Sequence, residues 1–228
     1  MQVFLLSLFS TGFCLILSIF FVSFYWKHRI LKKIGILGVQ GSGKTAFFTK
    51  LCYGSKQKSY MSICPNESVS CFFPGKKVIL IDFPGHSKFY HMFRETDHLQ
   101  SVIFMVDSSI IIKNAHHVAQ QLYLLLKDLR VKKIRSLLIA ANKDDLFTSL
   151  SASKISSILE ENLEEISFSR SKSIAEMDEK DDDDDWLMNA EGKVQLNDIR
   201  GLNIVVLSGS VENDRFSSWT EWMLRSIS

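Results

Sequence analysis

The chain opens with an unbroken apolar stretch. Val3–Trp26, VFLLSLFSTGFCLILSIFFVSFYW, carries no charge over 24 positions. As a helix it would be about 36 Å long, enough to cross a hydrocarbon core of about 30 Å with some tilt. Beyond it the pattern changes to short apolar runs alternating with segments of helical period. KIGILGV (33–39) reads as a strand and GKTAFFTKLCYG (43–54) as a helix. SVSCFF (68–73) and KKVILIDF (76–83) read as strands joined by a turn at Pro74–Gly75. SVIFMVD (101–107) is a buried strand, HVAQQLYLLLKDLR (117–130) an amphipathic helix and RSLLIAANK (135–143) a further strand. SASKISSILEENLEEISF (151–168) has a helical apolar period behind a serine cap. LNIVVLS (202–208) is the last strand and FSSWTEWMLRSI (216–227) the last helix. Alternating strands and helices predict an α/β layer with a mostly parallel central sheet and flanking helices.

Charge adds the second layer. The net charge is +2, but Ala175–Trp186, AEMDEKDDDDDW, carries −7, which leaves +9 spread over the rest of the chain. That excess is too diffuse to point to direct nucleic-acid binding. The polar, acidic stretch 169–200 reads as a mostly disordered insert before the last strand. Five adjacent aspartates, Asp181–Asp185, lack the turn-forming spacing of a cation cage and read as part of that solvated loop. The four cysteines show no zinc spacing, which points to a reducing compartment without a disulfide framework. A cleaved signal peptide fits the N-terminus poorly. No basic residue precedes the apolar run, the run is too long, and no small-residue cleavage site follows. Lys27, Arg29, Lys32 and Lys33 come after it instead, which places the rest of the chain in the cytosol by the positive-inside rule. The expected organisation is a single transmembrane helix (3–26), a basic juxtamembrane linker (27–33) and one nucleotide-binding domain (34–228) containing the acidic insert.

The chemistry sits at strand ends. Gly38-Val39-Gln40-Gly41-Ser42-Gly43-Lys44-Thr45 satisfies G-x-x-x-x-G-K-[ST], between a predicted strand and a predicted helix. In that arrangement backbone amides, including that of Ala46, cradle phosphates. Lys44 bridges the outer phosphates, and Thr45 offers a hydroxyl to Mg²⁺. Asp82 ends the strand VILID, where a carboxylate holds the metal through water, and the Gly85 amide is placed for a γ-phosphate. Asn142, Lys143 and Asp145 fit N-K-x-D. A carboxylate there accepts from both N1–H and the exocyclic amine of guanine, a donor pair that adenine lacks, so the element selects GTP. Ser208–Gly209, at the end of the last strand, is the expected source of an amide for the guanine carbonyl.

These four elements, in this order, each at a strand end, resemble the small Ras-like P-loop GTPases, and within them the Arf/Sar branch. The apolar N-terminus, LIDFPGH (80–86), Ser62–Ile63 after the first helix and the long insert are together similar to the beta-subunit family of the signal recognition particle receptor. The resemblance covers essentially the whole chain. It implies a single-pass protein of the endoplasmic reticulum membrane with a cytosolic domain that uses GTP and Mg²⁺. It further implies that the GTP-bound form holds the receptor's alpha subunit and so supports docking of ribosome–nascent chains, with the ribosome and translocon as indirect partners. The alternative is an Arf-like GTPase of vesicle traffic; against it, Gln2 leaves no N-terminal glycine for myristoylation. The chain departs from the superfamily pattern in three places. Met61 stands where a first-switch threonine is expected, leaving Ser59 or Ser62 as substitutes. His86 replaces the water-positioning glutamine; it either orients a water or is a surface histidine of the second switch. The last motif is S-G-S instead of S-A-K. With no arginine finger evident, hydrolysis is expected to be slow or partner-driven.

Overall fold

The computed structural model describes residues 12–21, 32–54, 64–70, 72, 77–86, 91–175, 186–189 and 191–227. It separates into two units, Met1–Leu31 and Lys32–Ser228. In the first, residues 12–21 form a helix (α1) whose apolar side chains, Phe13, Ile16, Phe20 and Phe21 among them, are exposed. Among the described residues no helix is long and apolar enough to cross a membrane. Most of the expected span 3–26, and residues 27–31 of the linker, lie outside the described residues.

The second unit is built on six strands: β1 (Lys32–Gly38), β2 (Asn66–Ser70), β3 (Val78–Asp82), β4 (Leu99–Asp107), β5 (Ser136–Asn142) and β6 (Asn203–Ser208). Their order is β2-β3-β1-β4-β5-β6. Only β2 runs antiparallel, pairing Asn66 with Asp82 and Ser70 with Val78. The parallel strands are covered on both faces and are therefore continuously apolar rather than alternating; Val102 through Val106 of β4 are all buried. The helices α2 (Lys44–Tyr53), α3 (His91–Glu95), α4 (Ile111–Val131), α5 (Ala152–Ala175) and α6 (Ser217–Ser226) flank the sheet. On one face Val118, Leu122, Leu125 and Leu129 of α4 pack with Ile155, Leu159, Leu163 and Ile166 of α5, each set recurring at three- and four-residue spacing. On the other face α2 meets α6, and Phe47 stands edge-on to Trp219 at 5.4 Å.

Two features differ from the sequence reading. Helix α3 has too few apolar residues to show a period; it is held by Phe93, buried edge-on against Phe83 at 5.7 Å. The expected disordered insert 169–200 is a correction. Helix α5 continues to Ala175, and the chain from Trp186 onward is part of the core on the α4–α5 face. Leu187, Val194, Leu196 and Ile199 are buried there. Glu164 accepts the Val194 amide at 2.8 Å and Glu160 the Leu196 amide at 2.9 Å. The Arg130 guanidinium lies 4.5 Å from the centre of the Trp186 ring. The acidic run 176–185 lies outside the described residues.

Candidate nucleotide-binding site

The chain leaves β1 through α2 toward β2 and β3, then returns on the other side of β1 as β4. The carboxyl end of β1 is thus the switch point of the sheet, where parallel α/β sheets bind ligands. Val39–Gly43 forms the loop at that point, with Gln40 and Gly41 at its exposed crest and Val39 half-buried. Gly43 turns the chain into α2 with φ +98, and a Cβ there would stand 2.2 Å from Asn142 Nδ2. Helix α2 has no side-chain cap and no acidic residue in its first turn, so its leading amides, Thr45 and half-buried Ala46 among them, meet no internal anion.

Lys44 is buried and donates from Nζ to the Val39 carbonyl at 2.7 Å, folding back over the loop. Burial lowers its pKa from 10.5 to about 8, against the pull of Asp82. Thr45 Oγ1 donates to Asp82 Oδ2 at 2.8 Å, so the two expected metal residues meet. Asp82 is fully buried and its pKa is raised, chiefly by desolvation; Thr45, Lys44 and Asn66 pull the other way. Among the described residues, Asp82 Oδ1 and the buried hydroxyl of Ser42 have no hydrogen-bond partner. An orphaned carboxylate oxygen beside a hydroxyl and a buried ammonium fits a hydrated Mg²⁺ and a polyphosphate. Gly85 closes this end. A Cβ on it would lie 2.5 Å from Lys44 Nζ and 2.9 Å from the Gln40 amide nitrogen, so only glycine lets the backbone approach the loop. His86 is exposed beside it. Ser59 and Ser62 lie outside the described residues.

The base-reading end is assembled from three loops. Asn142 donates to the Ser42 carbonyl at 2.8 Å and accepts the Val211 amide at 3.0 Å, tying the phosphate loop to the segment after β6. Lys143, with φ 68, pairs its ammonium with Asp107 at the end of β4. Asp145 Oδ1 accepts from the Ser210 hydroxyl at 2.5 Å, which lowers the Asp145 pKa and keeps the carboxylate charged.

One expectation is corrected at this end. Ser208 is still within β6, exposed and paired in register with Ala141. The Gly209 amide donates to the Ala141 carbonyl at 2.9 Å and is already used by the sheet. The serine that reaches Asp145 is Ser210, buried beyond the turn. The sequence reading named Ser208–Gly209 for a backbone amide and did not foresee the contact of the Ser210 hydroxyl with Asp145. Asp107 was also missed. Its signal was the one that singled out Asp82, an acid closing a buried strand.

The family model for the signal recognition particle receptor beta subunit matches residues 30–201. The beta subunit of that receptor from Saccharomyces cerevisiae is 31% identical over 202 residues, covering 82% of this chain and 81% of the yeast protein. The solved structure of the mammalian receptor superposes with a TM-score of 0.73 at 26% identity, over 86% of this chain and all of that one. That of the Chaetomium thermophilum receptor protein SRb with GDP and Mg superposes with a TM-score of 0.66 at 25% identity, over 86% of this chain and 96% of that one.

Proposed function

The chain belongs to the signal recognition particle receptor beta-subunit family, and from that premise we propose that it is the membrane-anchored, GTP-binding subunit that docks the receptor's alpha subunit. The observation that carries this reading is the convergence, at one end of the sheet, of a phosphate cradle, the Thr45–Asp82 pair and the Asp145–Ser210 pair. GTP with Mg²⁺ is the ligand that uses all three, and the Chaetomium relative was solved with GDP and Mg. Mg²⁺, when bound, would neutralise phosphate charge, with Thr45 as a direct ligand and Asp82 acting through water. Lys44 exchanges its internal carbonyl partner for phosphate oxygens. Asp145, charged and aimed by Ser210, accepts two hydrogen bonds from the guanine edge. Val39 and the residues through Ala46 enclose the phosphates, and the Gly85 amide faces the outermost one.

Intrinsic hydrolysis in such folds, without an arginine supplied to the γ-phosphate, is slow, about 10⁻⁴ s⁻¹. The nucleotide therefore acts first as a switch, governing whether the partner can bind beside the γ-phosphate end of the site. The anchor is the apolar run 3–26, part of which is the helical 12–21. It sets the protein in the endoplasmic reticulum membrane as a single-pass protein with the GTPase domain in the cytosol, delivering ribosome–nascent chains toward the translocon.

The test is a pull-down from detergent-solubilised membranes with the protein loaded with a GTP analogue, with GDP or left empty, read by mass spectrometry. Recovery of the alpha subunit selectively with the GTP analogue is the expected result. Recovery of vesicle coat or tethering proteins in its place would support the Arf-like reading instead.

A further inference from the structure

The five parallel strands share an amino-terminal edge, opposite the nucleotide site. Each is entered through or just after a basic residue: β1 through Lys32, β3 after Lys77, β4 after His98, β5 after Arg135, and β6 shortly after Arg200. Lys77, Lys133, Arg135 and Arg200 are exposed, and among the described residues none of them forms an ion pair or a side-chain hydrogen bond. Lys132 is anchored to the Thr96 carbonyl at 2.9 Å, and Lys33 lies 3.5 Å from Glu67. The exposed acids at this edge are Glu95, Asp97 and Asp198, three against the four free cations. At the opposite edge the balance is reversed: Asp107, Asp144 and Asp214 absorb Lys143, Arg215 and Lys50 in pairs. Positive charge is thus left free at one end of the sheet and neutralised at the other.

We infer that the amino-terminal edge of the sheet, through Lys77, Lys133, Arg135 and Arg200, is a docking face for an anionic bilayer surface. This rests on the proposed anchor. Only residues 27–31 separate Trp26 from Lys32, so the six steps between them span at most about 21 Å when fully extended. That is an upper bound of roughly two to three Debye lengths at physiological salt; a connection at about a third of that reach holds the edge within one Debye length, where the potential of anionic headgroups is felt. The free cations lie at the entries of different strands, as a broad face suited to many mobile headgroups and unlike a groove that would track a single strand of nucleic acid. Charge at this edge orients a domain that the short tether alone would leave free to tilt, and it turns the nucleotide end toward the cytosol.

The full chain, reconstituted into bilayer discs of phosphatidylcholine alone or mixed with phosphatidylserine, tests this by lysine acetylation read by mass spectrometry. Acetylation of Lys77 and Lys133 is expected to slow roughly fivefold in the anionic discs and to recover at high salt. Lys113 and Lys154, at the first turns of α4 and α5 on the opposite side, should react equally in both. The combined variant Lys133→Glu, Arg135→Glu and Arg200→Glu, checked for unchanged GTP affinity, should abolish the protection of Lys77. Equal reactivity in neutral and anionic discs, or protection that survives high salt, would overturn the docking face while leaving the anchor intact. Failure of the chain to resist alkaline extraction from the discs would instead overturn the anchor on which it rests.

Discussion

Asp145 shows how little of a recognition residue is its own doing. Its carboxylate is placed by the Ser210 hydroxyl, and the same contact depresses its pKa, so it is charged throughout the physiological range. Changing Asp145 to Asn replaces one acceptor oxygen by a donor and should shift preference from guanine to xanthine nucleotides; unchanged GTP preference in a competition assay would refute the assigned role. Changing Ser210 to Ala should weaken GTP several-fold without changing base preference, since the acceptor survives but loses its orientation. Lys44 gives a residue-scale prediction in pH. Its folded pKa, about 8, lies below the 10.5 of an unburied lysine, so between those values the unfolded chain binds the extra proton. Stability of the nucleotide-free protein should therefore rise with pH from about 8 to about 10.5, by up to about 3 kcal/mol for this group, and be flat below 8. Urea midpoints of the wild type minus those of Lys44→Met isolate the term. With GTP bound, phosphate keeps the ammonium charged and the rise should disappear.

At the scale of elements, the strands and long helices were legible because burial imposes period: β4, β5 and α6 fall within two residues of the segments read from hydrophobicity, while α4 begins six residues earlier than its apolar period, at Ile111. The phosphate loop and N-K-x-D were legible because their residue types leave few alternatives at a strand end. What could not be read depends on contacts between distant segments. The choice of Ser210 over Ser208 follows from where β6 stops pairing with β5. The stretch 186–200 looked disordered because Leu187, Val194, Leu196 and Ile199 follow neither a twofold nor a helical repeat. Each is nevertheless buried against α4 and α5, with backbone amides capped by Glu160 and Glu164 from α5. Leu196, with no exposed surface, is the sharpest test. Leu196→Ala should cost about 2–5 kcal/mol in denaturant unfolding, as for any leucine removed from a packed core. A disordered insert would tolerate the change within about 0.5 kcal/mol.

At the scale of the whole molecule, both cores that sandwich the sheet draw, among the described residues, on positions from Ile34 onward. Even the first residue of the domain is tied to its far end, since the Lys32 ammonium bonds the carbonyl of Ile227. The nucleotide site lies at the carboxyl edge of the sheet, the opposite edge from Lys32, where β1 begins. Removing residues 1–31 should therefore leave a folded, soluble domain whose GTP affinity matches the full-length protein within about twofold, a difference of about 0.4 kcal/mol. Calorimetric titration of both forms with GTP and Mg²⁺ makes the comparison directly. A much larger loss would mean that the N-terminal segment contributes to the nucleotide site. Equal affinity would mean that the anchor acts on location alone, leaving the switch at the far edge to respond to nucleotide and partner rather than to the membrane.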